Sequence, residues 1–285
     1  MIRHRDGTEK YAENGQDKVL SFLYGNVCGR FVLKGLTAPW ISRVAGAFMN
    51  SRLSCVMIKP FIRRNNINMA DYEEGPFKCY NAFFARHIRD GARKVDMEKS
   101  HLISPADSKL TVIPVDEKGV FFIKHTAYTV ASLFQSTDVA RRFDGGQLLI
   151  FRLTVDDYHR YCYMVDGEKE ENVFIPGRLH TVNPIANDFY PIYKENAREY
   201  TIVHTDDFGD MAVMEVGALM VGKIRNHHGA QHIRRGDEKG YFEFGGSTVC
   251  VLLQKGAAVM DEDIMENSRH GIETVVRMGE RIGCK

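Results

Sequence analysis

The most reactive arrangement of residues lies in GYFEFGGSTVCVLLQKG, where two strand-like runs meet at Gly245, Gly246, Ser247 and Thr248. On local grounds this is a β-hairpin closed by a glycine turn. A Gly-Ser pair in a tight turn has a second use. Glycine reaches backbone conformations barred to other residues and leaves the Gly246 carbonyl open on both faces. If a base takes the Ser247 hydroxyl proton, Oγ can attack that carbonyl through a five-membered ring and move the acyl group from nitrogen to oxygen. Loss of the Ser247 α-proton then expels the upstream carboxylate and leaves dehydroalanine, whose imine form hydrolyses to ammonia and a pyruvoyl group. The chain would thereby acquire a ketone, which no ordinary side chain carries.

Such a rearrangement needs a general base, a carboxylate to orient it and donors for an oxyanion. His159 follows a strand-like run in LTVDDYHRYC beside Asp156 and Asp157, and Asp107 occupies a Pro-led turn before another strand in ISPADSKLTV. Taken singly, these read as a surface histidine and a turn aspartate. His227, His228 and His232 have metal-like spacing, but no Cys or acid pair is near in sequence. They are expected to form an exposed His-rich loop, with no metal. A P-loop, a GxGxxG after a strand, HExxH and GxSxG are all absent, so nucleotide and common hydrolase readings lose their support.

These residues need a scaffold, and the 285-residue chain is long enough to bury a core without disulfides. With 38 Lys+Arg against 37 Asp+Glu, the net charge of +1 removes any general attraction to polyanions, and no nucleic-acid partner is expected. Six scattered cysteines without a CxxC indicate a reducing compartment. No apolar run reaches transmembrane length, since Arg30, Lys34 and Arg43 interrupt the most apolar early stretch.

The fold expected is α+β: a β-rich, mostly antiparallel catalytic domain preceded by short amphipathic N-terminal helices. Residues 17–66 show apolar residues at three- and four-residue spacing, with Val19, Phe22, Leu23 and Val27 on one face and Trp40, Ile41, Val44 and Phe48 on another. Such a face packs on the protein's own core or lies in a lipid interface. A domain boundary is expected near residue 70, giving segments 1–70 and 71–285. Beyond it, PFKCYNAFFARHIRDG reads as a helix repeating Tyr80, Phe83, Phe84 and Ile88, and TVASLFQSTDVARRFDGG as a short helix among strands.

The order SPADSKL, DDYHRY, PGRLHTVNPIA, FGDMAVMEVGALMVGKI and RGDEKGYFEFGGSTV resembles the phosphatidylserine decarboxylases, pyruvoyl enzymes that cut themselves before a serine. YNAFFARHIRDGARKVD is similar to the helix ahead of their catalytic domain. The resemblance implies cleavage between Gly246 and Ser247, conversion of Ser247 to the pyruvoyl cofactor, and Asp107 and His159 as self-processing partners. His159, expected to titrate near neutral pH, would serve as base in processing and acid in turnover. The implied partners are phosphatidylserine in a membrane and the chain's own two fragments, held together as adjacent strands of one sheet; a homodimer stays open. The implied location is peripheral, on the cytoplasmic face of the cell membrane.

Some positions depart from the family pattern. Ser108 stands where Gly is common, Gly245 precedes Gly246, Cys162 replaces a second histidine, and Thr181, Val182, Asn183 and Pro184 replace SVNP. These leave open a pyruvoyl decarboxylase of a small soluble amino acid. A non-catalytic lipid-binding module, with GGST as a mere turn, is the reading from a different class.

Overall fold

A computed structural model describes residues 1–10, 22–26, 29, 31, 33, 39–73, 75–123, 125–178, 180–181, 189–217, 224–243 and 247–285. Expectations on Val19, Val27, Val182, Asn183, Pro184, Gly245 and Gly246 lie outside them, as do the side chains of Trp40 and Ile41.

The main sheet is built from strands β1 (Ile2–His4), β2 (Ser108–Pro114), β3 (Gln147–Leu153), β5 (Arg198–Thr205), β6 (Asp210–Val216), β8 (Ser247–Leu253) and β9 (Glu273–Val276). Its central order is β5–β6–β8–β3–β2–β9–β1, and only the β1–β9 ladder is parallel among these pairs. A second, three-stranded sheet holds β4 (Arg160–Cys162) and β7 (Glu238–Phe242), with Ile224–Asn226 on the far side of β7. This is the β-rich, mostly antiparallel α+β fold expected.

The strands read as nearly unbroken apolar runs because the main sheet is covered on both faces. Every residue of β8 is buried. Val249, Val251 and Leu253 face a cluster with Phe151, Leu110, Tyr161 and Phe242, while Cys250 and Leu252 face the opposite cluster with Ile150, Met214 and Tyr193. Burying each large apolar side chain stabilises the fold by about 1.5–3 kcal/mol, so strands walled on two sides need no polar alternation.

A third cluster joins Met49 and Ile58 to Tyr80, Phe83 and Phe84, from helices α1 (Pro39–Met49), α2 (Ile58–Arg64) and α3 (Tyr80–Phe84). Helix α3 stops four residues short of Ile88. Arg86 turns its Nη1 back to the Phe83 carbonyl at the helix end, and Ile88 bridges to Tyr72 instead. The short helix expected within TVASLFQSTDVARRFDGG is two helices, Val130–Phe134 and Thr137–Arg141, divided at Gln135, whose φ is 52°. The chain start, counted with the N-terminal helical segment from sequence, places β1 against β9.

The glycine hairpin does not form. β7 pairs with β4 and Ile224–Asn226, whereas β8 pairs with β6 and β3, so Phe242 and Ser247 end in different sheets. The strands flanking the expected cut are therefore not neighbours, because each finds a better-matched partner far away in sequence.

Candidate active site

Three backbone connections bring the predicted residues into one region. Ser247 sits opposite Leu153 at the end of the β8–β3 ladder. The Phe242 N–H, on the other side of the crossover, donates to the His159 carbonyl at 2.9 Å. The segments 153–159 and 242–247 are thus tied at both ends. Finally the Cys162 N–H donates to the Pro105 carbonyl at 2.9 Å, docking the turn that carries Asp107 beside the His159 strand.

Ser247 is completely buried, and its Oγ has no hydrogen-bond partner among the described residues; the same holds for Thr248 Oγ1. Leaving a buried hydroxyl unmet costs about 1–3 kcal/mol, a cost folded chains rarely carry without a reason. By strand alternation Ser247 shares a face with Val249 and Val251, toward the cluster that contains Tyr161 and Phe242 of the second sheet.

His159 is fully buried, with its ring 4.0 Å from that of Phe84. Its Nδ1 donates to the main-chain carbonyl of Asp157 at 3.0 Å, which fixes the tautomer and leaves Nε2 bare; Nε2 has no partner among the described residues. Burial pushes its pKa down to about 3, with the Asp157 carbonyl opposing and the Arg86 charge reinforcing the shift. The near-neutral titration expected from sequence is therefore not a property of this folded chain. His159 instead keeps a proton-accepting nitrogen across the whole physiological range.

No carboxylate bonds directly to His159 among the described residues. The Asp107 carboxylate accepts from Arg93, with Nη2–Oδ2 at 2.6 Å and Nε–Oδ1 at 3.1 Å, and from the Met278 N–H at 2.9 Å. The Asp157 carboxylate is held by Lys109 Nζ at 2.6 Å and by the Thr154 N–H, also at 2.6 Å. Burial pushes the Asp157 carboxyl up, with Lys109 opposing. That anchored turn fixes the carbonyl which orients His159.

Sequence reading missed this polar layer. Lys109 and Arg152 stand on β2 and β3, opposite one another, and Arg152 bonds Glu273 of β9 through Nε–Oε1 at 2.7 Å. On β6, Glu215 pairs with Val249, two residues along β8 from Ser247. Its carboxylate meets Lys239 Nζ at 2.8 Å and Asn226 Nδ2 at 3.0 Å, and Lys239 donates to Asn226 Oδ1 at 2.7 Å, closing a triangle in which Glu215 and Lys239 are buried and Asn226 is half-buried. The usable signal was a lone charge inside an otherwise apolar strand, which can be buried only with a partner.

Arg86 is different. It is 2% exposed and takes part in no ion pair among the described residues, and its Nε and Nη2 have no hydrogen-bond partner there. The guanidinium lies 4.0 Å from the centre of the Tyr72 ring and 4.8 Å from that of Phe83. Cation–π contacts return about 0.5–2 kcal/mol each, against a desolvation cost of several kcal/mol, so the charge is incompletely compensated.

Cys162 sits where a second histidine was noted as common. Its Sγ lies 3.9 Å from the Ser104 carbonyl, and burial pushes the thiol up to about 12, which removes it from acid–base work. Ser108 is buried, with its hydroxyl donating to the Ala106 carbonyl at 3.3 Å. His227 contacts Glu238, His228 contacts Tyr163 and His232 contacts Glu168, so the three histidines of the loop diverge to separate partners.

Residues 80–284 match the family model described as phosphatidylserine decarboxylase. The chain is 47% identical over 276 residues to phosphatidylserine decarboxylase proenzyme 2 of Clostridium acetobutylicum, covering 96% of this chain and 94% of that one. It is 39% identical over 294 residues to a phosphatidylserine decarboxylase proenzyme of Clostridium kluyveri, covering 100% and 99% respectively. A proenzyme of the same name from Fusobacterium nucleatum is 36% identical over 282 residues, covering 97% of this chain and 93% of its own. The chain thus falls in a class of decarboxylase proenzymes and belongs to the phosphatidylserine decarboxylase family.

Proposed function

We propose that this chain cuts itself between Gly246 and Ser247 and then converts phosphatidylserine to phosphatidylethanolamine and CO2. The observation that carries the reading is the buried Oγ of Ser247, without a hydrogen-bond partner among the described residues, at the crossover between two sheets. His159 Nε2 accepts the hydroxyl proton as Oγ adds to the Gly246 carbonyl; the C–N bond breaks, and the amine keeps the proton. Removal of the Ser247 α-proton then breaks the new ester, releasing residues 1–246 with a carboxylate end. Water replaces nitrogen at position 247, and ammonia leaves.

The resulting pyruvoyl group supplies a ketone that takes up the electron pair left by departing CO2. A neutral His159 suits both stages: in processing it passes the Oγ proton to the departing amine, and in turnover it would take a proton from the substrate's ammonium group as that amine condenses with the ketone and return it to the carbon left by CO2. Asp107 and Asp157 position rather than react: one anchors the Pro105 turn to Arg93 and Met278, the other holds the carbonyl on Nδ1.

The N-terminal layer, within residues 1–70, supports a peripheral membrane role for an enzyme whose catalytic part spans 71–285. Phe31 is 82% exposed, Val56 75% and Leu53 73%, with Val44 and Phe48 also exposed and Arg52, Lys59, Arg63 and Arg64 among them. Apolar side chains beside cations suit a headgroup interface. No helix among the described residues is long and apolar enough to cross a membrane.

Denaturing mass spectrometry of the purified protein, followed by incubation with serine-lipid vesicles and separately with free amino acids, tests the reading. Two fragments, the smaller lacking a free amino terminus, and CO2 from vesicles are expected. A single intact chain would refute self-cleavage, and CO2 from free amino acids alone would refute the lipid substrate.

A further inference from the structure

We infer that Arg86 is an anion-binding residue that holds the phosphodiester of the substrate headgroup. The inference rests on the lipid reading above and adds a named contact to it. Four observations lead there. Arg86 is buried to 98%, shown by its 2% exposure, yet two of its three guanidinium nitrogens have no hydrogen-bond partner among the described residues. The buried cations of the polar layer are each matched by a carboxylate: Lys109 by Asp157, Arg152 by Glu273, Lys239 by Glu215, Arg160 by Glu238. Arg86 follows Phe84, whose ring lies against His159. And α3, just before it, packs into the cluster shared with α1 and α2, where α1 and the turn at 52–57 carry the exposed Val44, Phe48, Leu53 and Val56. Arg86 therefore sits between the layer that would meet lipid and the histidine of the reacting centre.

A serine headgroup offers two anions, and chemistry selects between them. A guanidinium on the carboxylate would stabilise the ground state against loss of CO2, because the charge leaves that group as the bond breaks. The phosphodiester keeps its charge throughout. Two parallel N–H donors suit two phosphate oxygens, and the burial of Ser247 requires the headgroup to enter to a comparable depth.

The test compares CO2 release from glycerophosphoserine and from O-ethylserine, which lacks the phosphodiester, with rates normalised to the amount of processed small fragment. The self-processed protein should favour glycerophosphoserine by roughly a hundredfold or more in kcat/KM. Arg86→Gln should lose that preference, mainly by a raised KM for glycerophosphoserine; Arg86→Lys should keep an intermediate preference. Equal use of both substrates by the unmutated enzyme overturns the inference even if the variants fail to mature, as does an undiminished preference in Arg86→Gln. Absence of CO2 from every substrate, including serine-lipid vesicles, would instead strike the lipid reading itself.

Discussion

Arg93 grips Asp107 through two guanidinium nitrogens, at 2.6 and 3.1 Å, from a segment that precedes the catalytic strands. The Met278 N–H holds the same carboxylate from the other side. Asp107 is thus clamped between a residue before the proposed cut and one after it.

Removing the clamp should slow maturation. Arg93→Ala is expected to retard appearance of the small fragment by about a hundredfold, since misplacing a catalytic partner by an ångström costs that much. Arg93→Lys, which lacks the planar fork, should be intermediate. Arg93 also lines an open cleft of about 690 Å³. Millimolar guanidinium ion should therefore reach the gap in Arg93→Ala and restore cleavage, followed on denaturing gels; no rescue would count against the positioning role.

Ser247→Ala should give one uncut chain of full mass, because no nucleophile remains. Detection of fragments ending at residue 246 from this variant would move the cleavage site elsewhere.

Acid should weaken the fold through His159. Its folded-state pKa is about 3 against an ordinary 6.5, so the unfolded chain binds a proton that the folded chain refuses. The contribution of His159 is full above pH 6.5 and is lost as pH falls toward 3, amounting to about 3 kcal/mol by pH 4.5. Urea unfolding of Ser247→Ala at pH 7 and pH 4.5, with and without His159→Leu, isolates this difference: the double variant should lose less stability on acidification.

The Glu215–Lys239 pair should be costly to break and cheap to replace. Lys239→Met strands a buried carboxylate and should destabilise by about 3–5 kcal/mol, whereas Glu215→Leu with Lys239→Met should recover most of that loss. Denaturant midpoints of the three proteins decide it; equal losses in the single and double variants would contradict the pairing.

Much of this was legible from local chemistry. The strands could be read because runs such as QLLIFRL and STVCVLL are buried on both faces. The Gly-Ser junction could be read because its reactivity depends on neighbouring atoms alone. What escaped was whatever is decided at a distance. The hairpin at residues 242–247 looked right locally and lost to partners such as Leu153 and Val216, supplied by remote strands. The early end of the helix at Phe84 reflects Arg86, and the drop in the His159 pKa reflects enclosure by several segments at once. The partners of Lys109, Arg152, Glu215 and Lys239 lie 11 or more residues away in every case, beyond any periodicity.

The segment that follows the proposed cut, residues 247–285, is woven into the main sheet twice: β8 lies between β3 and β6, and β9 between β1 and β2. Arg5 ties the chain start to Asp261 and Asp263. Scission at that point would open a connection without freeing either strand, and it would also change the molecularity of assembly. A newborn chain would fold alone, at a rate independent of dilution, but one cut there, once melted, would have to find its other half by collision. The finished catalyst would be durable while it stays folded and hard to renature once it is not.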